Sequence, residues 1–416
     1  MQTQHALTIG LFTDDFFGGI VRSLEVQATE LAKQGYRVII FAPHMPFDTL
    51  PTGCEFQPVK FWWHKKLAVY MGFLSWSKKT VHAICQTYNL DVVHSHNERG
   101  SMLLCARLAK QMNIPHVHTF HSNYAGTHMG NPFIAALNSM LYMPLIPKLL
   151  GHYSHIKNPP KTTLPAKSGV VEVSMFARHD WRTIAQMARY LDAFTSPASF
   201  VIDKVNECTS DALRTKGFFI ANGINPAFAQ DFKEHPKSDV VRFISCGRLD
   251  PEKRVDILIR AFAKLKNSKA QLIIIGVGSQ RSAYQALVKH LGVTNKVTFL
   301  GQIDSREQMA KQYANADVFV FPSYHYDTQG LVLGEAASAG EAIIYCDERL
   351  RVGVNEQNSL LITPSAAAFT KAMRALMQDK ARLHKMQQAS LKLRPLLSPQ
   401  VMATNMLNVY RSVLKK

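Results

Sequence analysis

Short apolar runs recur along this chain, each passing through a turn into a stretch with helical spacing and then into another apolar run. Leu7–Thr13 is the first such run. Asp14-Asp15-Phe16-Phe17-Gly18-Gly19 follows as a turn, and Ile20, Leu24, Ala28 and Leu31 repeat at helical intervals up to Gln34. Gly35 then suits a helix C-cap, and Tyr36–Ala42 is the next strand. Near-continuous apolar strands fit a parallel sheet covered by helices on both faces, not a sheet with one wet side. The pattern continues through strands at Asp91–His96 and Pro115–Phe120, with a helix at Ser101–Met112 between them, and short strands at 193–195 and 218–221.

A second alternating set begins near Val240. Its predicted strands are Val241–Cys246, Gln271–Ile275, Lys296–Leu300, Val318–Phe321 and Ala342–Tyr345. Its predicted helices are Val255–Leu265, Arg281–Leu291, Ser305–Ala314 and Leu331–Ala339. At 416 residues the chain is too long for one comfortable core, so two domains are expected. The fold class is therefore α/β, with two Rossmann-like domains facing each other across a cleft. The boundaries expected are 1–225, 226–395 and a last helix, 396–416, that packs back on the first domain. A hinge is placed near Pro226–Asp239, with closure over the cleft. Residues 151–192 carry no readable period.

The 48 lysines and arginines outweigh 30 acids, for a net charge of +18, and half of that excess lies in residues 369–416. Such a balance favours an anionic partner. A specific nucleic-acid site is not expected, because no helix-turn-helix, RNP-like strand or zinc finger is present. The six scattered cysteines include no Cys-x-x-Cys, which fits a reducing compartment. The N-terminus lacks the basic and apolar regions of a secretory signal. The longest greasy stretch, Asn131–Leu150, is interrupted by Pro132, Asn138, Pro144, Pro147 and Lys148, and reads as buried or interfacial.

Three features lie where ligands bind in such folds, at the carboxyl ends of strands. After Val241–Cys246 comes Gly247-Arg248-Leu249-Asp250-Pro251-Glu252-Lys253, where two cations five residues apart can neutralise a diphosphate. A solvated basic loop is the plainer alternative. After Val318–Phe321 comes Tyr326-Asp327-Thr328-Gln329-Gly330, leading into a helix whose first N–H groups suit phosphate or sugar oxygens. Asp327 and Glu335, eight positions apart, can each hold hydroxyls; a helix start with a favourable acid is the plainer reading. Gly18-Gly19 lets backbone approach a phosphate, although it is not a Gly-x-Gly-x-x-Gly fingerprint and could be a simple turn.

Together these residues resemble the retaining, nucleotide-sugar-dependent glycosyltransferases of family 4, which have the GT-B fold. Thr119-Phe120-His121, Ser196-Pro197-Ala198, Asn222-Gly223-Ile224 and Phe299-Leu300-Gly301 match in the same order. The resemblance covers about residues 7–60, 90–130 and 193–390. It implies that Gly18 and Gly19 face the donor diphosphate and that Arg248 and Lys253 grip it. It implies that Glu335 holds the ribose, and that Asp327 with the backbone of Gln329, Gly330 and Leu331 holds the sugar. Val332 would lie along the nucleotide, and His121 beside the anomeric carbon. His121, Arg248, Lys253 and Asp327 are thus the catalytic set. Departures are Asp327 where the family usually has Glu, Arg254 where glycine is common, and Gly340-Glu341-Ala342 without the usual proline.

No Asp-x-Asp occurs, so no metal and no bound cofactor are expected; the nucleotide-sugar, UDP-glucose by the resemblance, is a co-substrate. Thirteen of 17 histidines precede residue 226. His94-x-His96 and His116-x-His118 each put two imidazoles on one strand face. They are expected as satisfied polar residues rather than a zinc site. An inverting route with His121 as general base is the minor chemical alternative.

Lys60–Lys79 holds five lysines, no acid and three of the four tryptophans. Read as a short helix, it suits an anionic membrane interface, with Trp62, Trp63, Lys65, Lys66, Trp76, Lys78 and Lys79 as the membrane and acceptor residues. The family members most alike are bacterial enzymes that glucosylate diacylglycerol or mannosylate a phospholipid. The expected function is transfer of a hexose, glucose first, from a UDP-sugar to a lipid acceptor, at the inner face of the cell membrane. Two alternatives stay open: a soluble glycan or wall-polymer acceptor, and a catalytically idle adaptor of the same fold.

Overall fold

The computed structural model describes residues 6–414 except 16–17, 64–71, 131, 157–160, 167–173, 212–213, 230–238 and 267. Lys65, Lys66 and most of the expected hinge lie outside them. The chain divides into two compact units, Met1–Gly223 with Pro399–Lys416, and Ile224–Ser398.

Unit 1 holds β1 (Thr8–Phe12), β2 (Arg37–Ala42), β3 (Cys54–Pro58), β4 (Phe61–Trp63), β5 (Gly72–Leu74), β6 (Val92–Ser95), β7 (His116–Thr119), β8 (Ala193–Ser196) and β9 (Gly217–Phe219). All but β4 and β5 form one sheet in the order β3-β2-β1-β6-β7-β8-β9, every pair parallel. Alternation decides which core each side chain enters. Ile9, Leu11, Val38 and Ile40 face the helix Gly19–Lys33 and the C-terminal helix Pro399–Leu414. Phe12, Ile39 and Phe41 face the helices Lys78–Thr87 and Gly100–Met112. Phe12 and Phe41 stack there with ring centroids 4.3 Å apart.

Unit 2 holds β10 (Val241–Cys246), β11 (Ala270–Ile275), β12 (Val297–Gly301), β13 (Val318–Phe321), β14 (Ala342–Tyr345) and β15 (Ser359–Leu361). Their order, β12-β11-β10-β13-β14-β15, is the doubly wound one, again wholly parallel. Each unit is thus a Rossmann-like layer of sheet between helices.

Two readings of the sequence change here. Residues 151–192 contain a regular helix, Met175–Ala188, capped by the Ser174 side chain. Its buried face includes Ala177, Asp180, Thr183, Ala185 and Ala188 beside Trp181, so small and polar residues hide the period. Asp180 is satisfied inside by His128 Nε2 at 2.8 Å and Ser139 Oγ at 2.9 Å. Within Lys60–Lys79 the described residues form strands before the helix, where the sequence suggested a short helix. Phe61–Trp63 and Gly72–Leu74 pair antiparallel, and the helix begins only at Lys78. The consecutive aromatic residues Phe61, Trp62 and Trp63 favour a strand there. Trp76 packs inward against two of the core clusters, and its carbonyl accepts from Arg107. Trp62, Lys78 and Lys79 remain exposed.

The last helix is anchored by polar contacts inside unit 1. Tyr410, fully buried, has its hydroxyl 2.7 Å from His94 Nδ1 and accepts from Gln27 Nε2 at 3.0 Å. Gln400 donates to Glu30 at 3.2 Å. Replacing Tyr410 with Phe leaves the polar ends of His94 and Gln27 buried with one partner fewer. Tyr410→Phe is therefore expected to lower unfolding stability by about 1–3 kcal/mol in urea titration. An unchanged midpoint would mean that water reaches these groups.

Candidate active site

In unit 2 the chain leaves β10 towards β11 and returns to the far side of β10 as β13, so the strand order reverses between β10 and β13. Two adjacent loops that diverge at the carboxyl ends of such strands leave a crevice between them. The loops here are 247–254 and 322–330. They bring four of the residues singled out in the sequence together. Lys253 Nζ lies 2.5 Å from Asp327 Oδ1, and 4.8 Å above the Tyr326 ring. Arg248 donates to Asp250 at 2.6 Å, to Glu252, and to the Tyr326 hydroxyl at 3.0 Å. Burial acts to lower the Arg248 pKa, but Tyr326, Glu252 and Asp250 outweigh it and raise it. Arg248 therefore stays charged at the mouth of the crevice. Asp327 accepts from Ser323 Oγ as well.

Glycines set how tightly these loops can stack. A side chain on Gly276 would sit 1.9 Å from the Gly247 carbonyl oxygen, and one on Gly278 would sit 2.5 Å from Leu249. Gly276-Val277-Gly278-Ser279 is thus part of the site, and the sequence reading missed it. Its signal was a Gly-x-Gly-Ser directly after an apolar run. Ser279 donates its backbone N–H and its hydroxyl to Asp250 at 2.9 and 2.8 Å, which fixes the carboxylate that holds Arg248.

Gly330 adopts the left-handed conformation, φ 68°, and starts the helix Leu331–Ala339. Leu350 and Leu333 already crowd the place where its side chain would be. Thr328 and Gln329 before it are buried. Glu335, one turn in from Leu331, is buried and accepts from the Tyr313 hydroxyl at 3.2 Å. Val332 is half-buried on the same first turn. Gly18 in unit 1 also has positive φ, 93°, and precedes the helix that begins at Gly19.

In unit 1 the sheet order reverses between β1 and β6, and a polar network fills that end. Asn97 accepts from Asp14 N and Thr13 Oγ1 and donates to Asp15, which also binds Arg99. Asp14 accepts from Leu74 N and Ser101 N, and burial raises its pKa to about 6. The histidines beside it are hydrogen-bonded to one another and to hydroxyls. Ser95 Oγ lies 2.7 Å from both His116 and His118. His94 Nε2 lies 2.7 Å from Thr119 Oγ1, and His96 Nδ1 lies 3.0 Å from His121 Nε2. Among the described residues one group has metal-ligand geometry, His325 with Asp347 and Glu348 in unit 2. Asp347 there is already bound through both oxygens by Arg349.

Residues 227–393 match the family described as Glycosyl transferases group 1, and residues 17–161 match Glycosyltransferase Family 4. The chain is a family 4 glycosyltransferase with the GT-B fold. An alpha-monoglucosyldiacylglycerol synthase of Streptococcus pneumoniae is 26% identical over 364 residues, 81% of this chain and 70% of that one. A glycogen synthase of Mycobacterium tuberculosis is 25% identical, over 71% of this chain and 62% of that one. HepE of Anabaena in complex with UDP superposes with a TM-score of 0.69 at 13% identity, covering 98% of this chain and 100% of that one. This likeness bears on the fold.

The hydrogen bonds of the glycosyltransferase fix the proton positions of its histidine pair. If His121 donated to His96, the His96 proton would sit on Nε2, a buried nitrogen with no partner. A buried orphan N–H costs more than a buried orphan lone pair. His96 therefore donates from Nδ1, and His121 carries its own proton on Nδ1. Burial pushes the His121 pKa down to about 4, so the ring is neutral at pH 7. A neutral ring with its Nε2 lone pair engaged is a hydrogen-bond donor, which leaves no free nitrogen for the general-base route.

Burial also lowers His116 to about 3, and holds His94 and His96 well below the usual imidazole range with help from neighbouring imidazoles. In the unfolded chain each histidine takes up its proton near pH 6.5. Below that pH the unfolded chain binds more protons than the folded one, so stability is full above about 6.5 and falls with acidification. Each buried histidine can contribute up to roughly 1.4 kcal/mol per pH unit. Asp14 acts in the opposite direction below about 6, and so do Glu341, raised by burial, and His155, raised by its bond to Asp192, against four histidines that burial lowers. The urea midpoint is expected to be clearly lower at about pH 5 than at about pH 7.5. An equal or higher midpoint at the lower pH would show the histidines to be solvated.

Proposed function

We propose that this enzyme transfers glucose from UDP-glucose to a membrane lipid such as diacylglycerol, with retention of configuration. The observation that carries the donor half is the meeting of Arg248, Lys253, Asp327 and the Gly330 helix start at the β10/β13 reversal. Breaking the bond between the anomeric carbon and the phosphate oxygen leaves negative charge on the departing UDP. Arg248, Lys253 and the first N–H groups of the helix supply fixed positive charge for it. Glu335 holds the ribose hydroxyls, and Val332 lies along the nucleotide. Asp327, with backbone at Gln329, Gly330 and Leu331, holds the sugar. The acceptor hydroxyl attacks the face the diphosphate leaves and passes its proton to a leaving phosphate oxygen. No other cofactor is called for.

Asp327 is one methylene shorter than the usual glutamate. Lys253 reaches it at 2.5 Å and Ser323 braces its second oxygen, so the shorter acid is held in place from two sides. The lipid half rests on the likeness to the glucosyldiacylglycerol synthase and on the exposed Trp62, Lys78 and Lys79. On this reading the enzyme works at the inner face of the cell membrane. The likeness to a glycogen synthase favours a glycan acceptor as the second reading.

Labelled UDP-glucose is incubated with diacylglycerol vesicles or with a soluble glucan. Labelled glycolipid is the expected product. Arg248→Ala and Glu335→Ala are expected to lower kcat/KM on the order of a hundredfold, the usual loss when one preorganised charge partner is removed. Full activity in both variants would overturn the donor site, and label appearing in glucan alone would overturn the lipid acceptor.

A further inference from the structure

An apolar ridge stands exposed on unit 1. It runs through the helix Pro132–Leu137, the π-turn Asn138–Tyr142 and the start of the helix Leu145–Tyr153. Phe133, Ile134, Leu137, Met140, Leu141 and Leu145 point outward, between 47% and 79% exposed. Interleaved with them, Ala135, Ser139, Met143 and Ile146 are buried. The usual rule for a surface helix, apolar inward and polar outward, fails on the outer face. Large apolar side chains exposed side by side mark an interaction surface.

Charge selects the partner. The sequence has no Asp or Glu between Glu98 and Glu172, and it carries seven Lys and Arg in that interval. Lys148 is exposed three positions after Leu145 and seven after Leu141, so it continues the same stripe. Lys110, also exposed, reaches the His152 carbonyl at 3.4 Å. We infer that this ridge docks the enzyme onto an anionic lipid bilayer, its apolar side chains at the acyl boundary and its lysines among the headgroups.

The segment lies on the bilayer and does not cross it. Phe133–Tyr153 is long and apolar enough to span, but a third of its most apolar window is buried in the unit. Its inner face is tied by Ser139 to the buried Asp180 and His128. Withdrawing it would leave a carboxylate and an imidazole short of a partner. A second copy of the chain is the weaker occupant, because a symmetric contact would set like cations against one another. The inference deepens the lipid-acceptor reading by naming the face that meets the membrane, and its test separates the two.

The full-length enzyme is mixed with phosphatidylglycerol-containing vesicles and with phosphatidylcholine vesicles and sedimented. The wild type is expected to sediment with the anionic vesicles, less so as salt rises. A Phe133→Ser, Leu141→Ser variant changes only exposed side chains, and a circular dichroism spectrum confirms its fold. Its vesicle affinity should fall about tenfold or more, while transfer to a short-chain, water-soluble acceptor stays at the wild-type rate. Lys148→Glu should weaken binding to anionic vesicles and leave phosphatidylcholine binding unchanged. Equal sedimentation of wild type and the double variant overturns the docking face. So does a wild-type dimer, seen by ultracentrifugation without lipid, that the double variant abolishes. Docking with no transfer to any lipid acceptor would instead sink the acceptor reading and leave the docking face standing.

Discussion

The reversal of strand order beside β10 is the constraint on which the site depends. A parallel sheet forces every crossover to one end, and the reversal sends two neighbouring loops in opposite directions. At that divergence a lysine from one loop and an aspartate from the other meet at 2.5 Å. Apart from a 3-10 turn at Pro251–Lys253, neither loop is regular structure. The first is shaped by backbone contacts that only glycine permits, at Gly276 and Gly278 against 247–249. Register thus becomes chemistry in two steps. The pairing of Phe243 with Val318 and Ile244 with Phe319 aligns the strand ends, and the glycine stack aligns the first loop above them.

Most of unit 2 was legible because its elements obey simple periods. The expected strands Val241–Cys246, Val318–Phe321 and Ala342–Tyr345 and the expected helix Leu331–Ala339 carry those same bounds in the structure. Their side chains face a single environment each, so hydropathy reports structure directly. Where an element is buried with polar residues, the period fades. The helix Met175–Ala188 buries Asp180 and Thr183, and the sequence reading found no order there. The hairpin of β4 and β5 failed for another reason. Trp62 and Trp63 with flanking lysines carry the composition of an interfacial helix, but composition does not fix geometry. Two three-residue strands leave too short a signal to read.

Candidate site residues were legible as types and spacings, not as partners. Arg248 and Lys253 stood out as two cations at a strand end, but their pairing with Asp250, Glu252 and Asp327 is tertiary information. The histidines show the same limit more sharply. The spacing of His94, His96, His116 and His118 gives strand faces correctly. Only the three-dimensional network tells which nitrogen of His96 lacks a partner, and that single orphan decides the tautomer of His121.

The acids around Arg248 bear on how an anion could be received. A cation waiting alone in a half-buried loop would pay desolvation with no return, and would fold away or draw in solvent. Asp250 and Glu252 hold it charged and oriented instead. Releasing Arg248 costs the two acids unequally. Asp250 keeps two donors from Ser279 after the guanidinium turns away, so it is not left orphaned. Glu252 has no second donor of that kind among its described hydrogen bonds, so the arginine gives it up at greater cost. An anion such as the proposed donor diphosphate would therefore compete mainly with one carboxylate, and a diphosphate would bring more charge than that carboxylate does. The loop can stay in one shape before and after binding, which is the condition for electrostatic stabilisation without reorganisation.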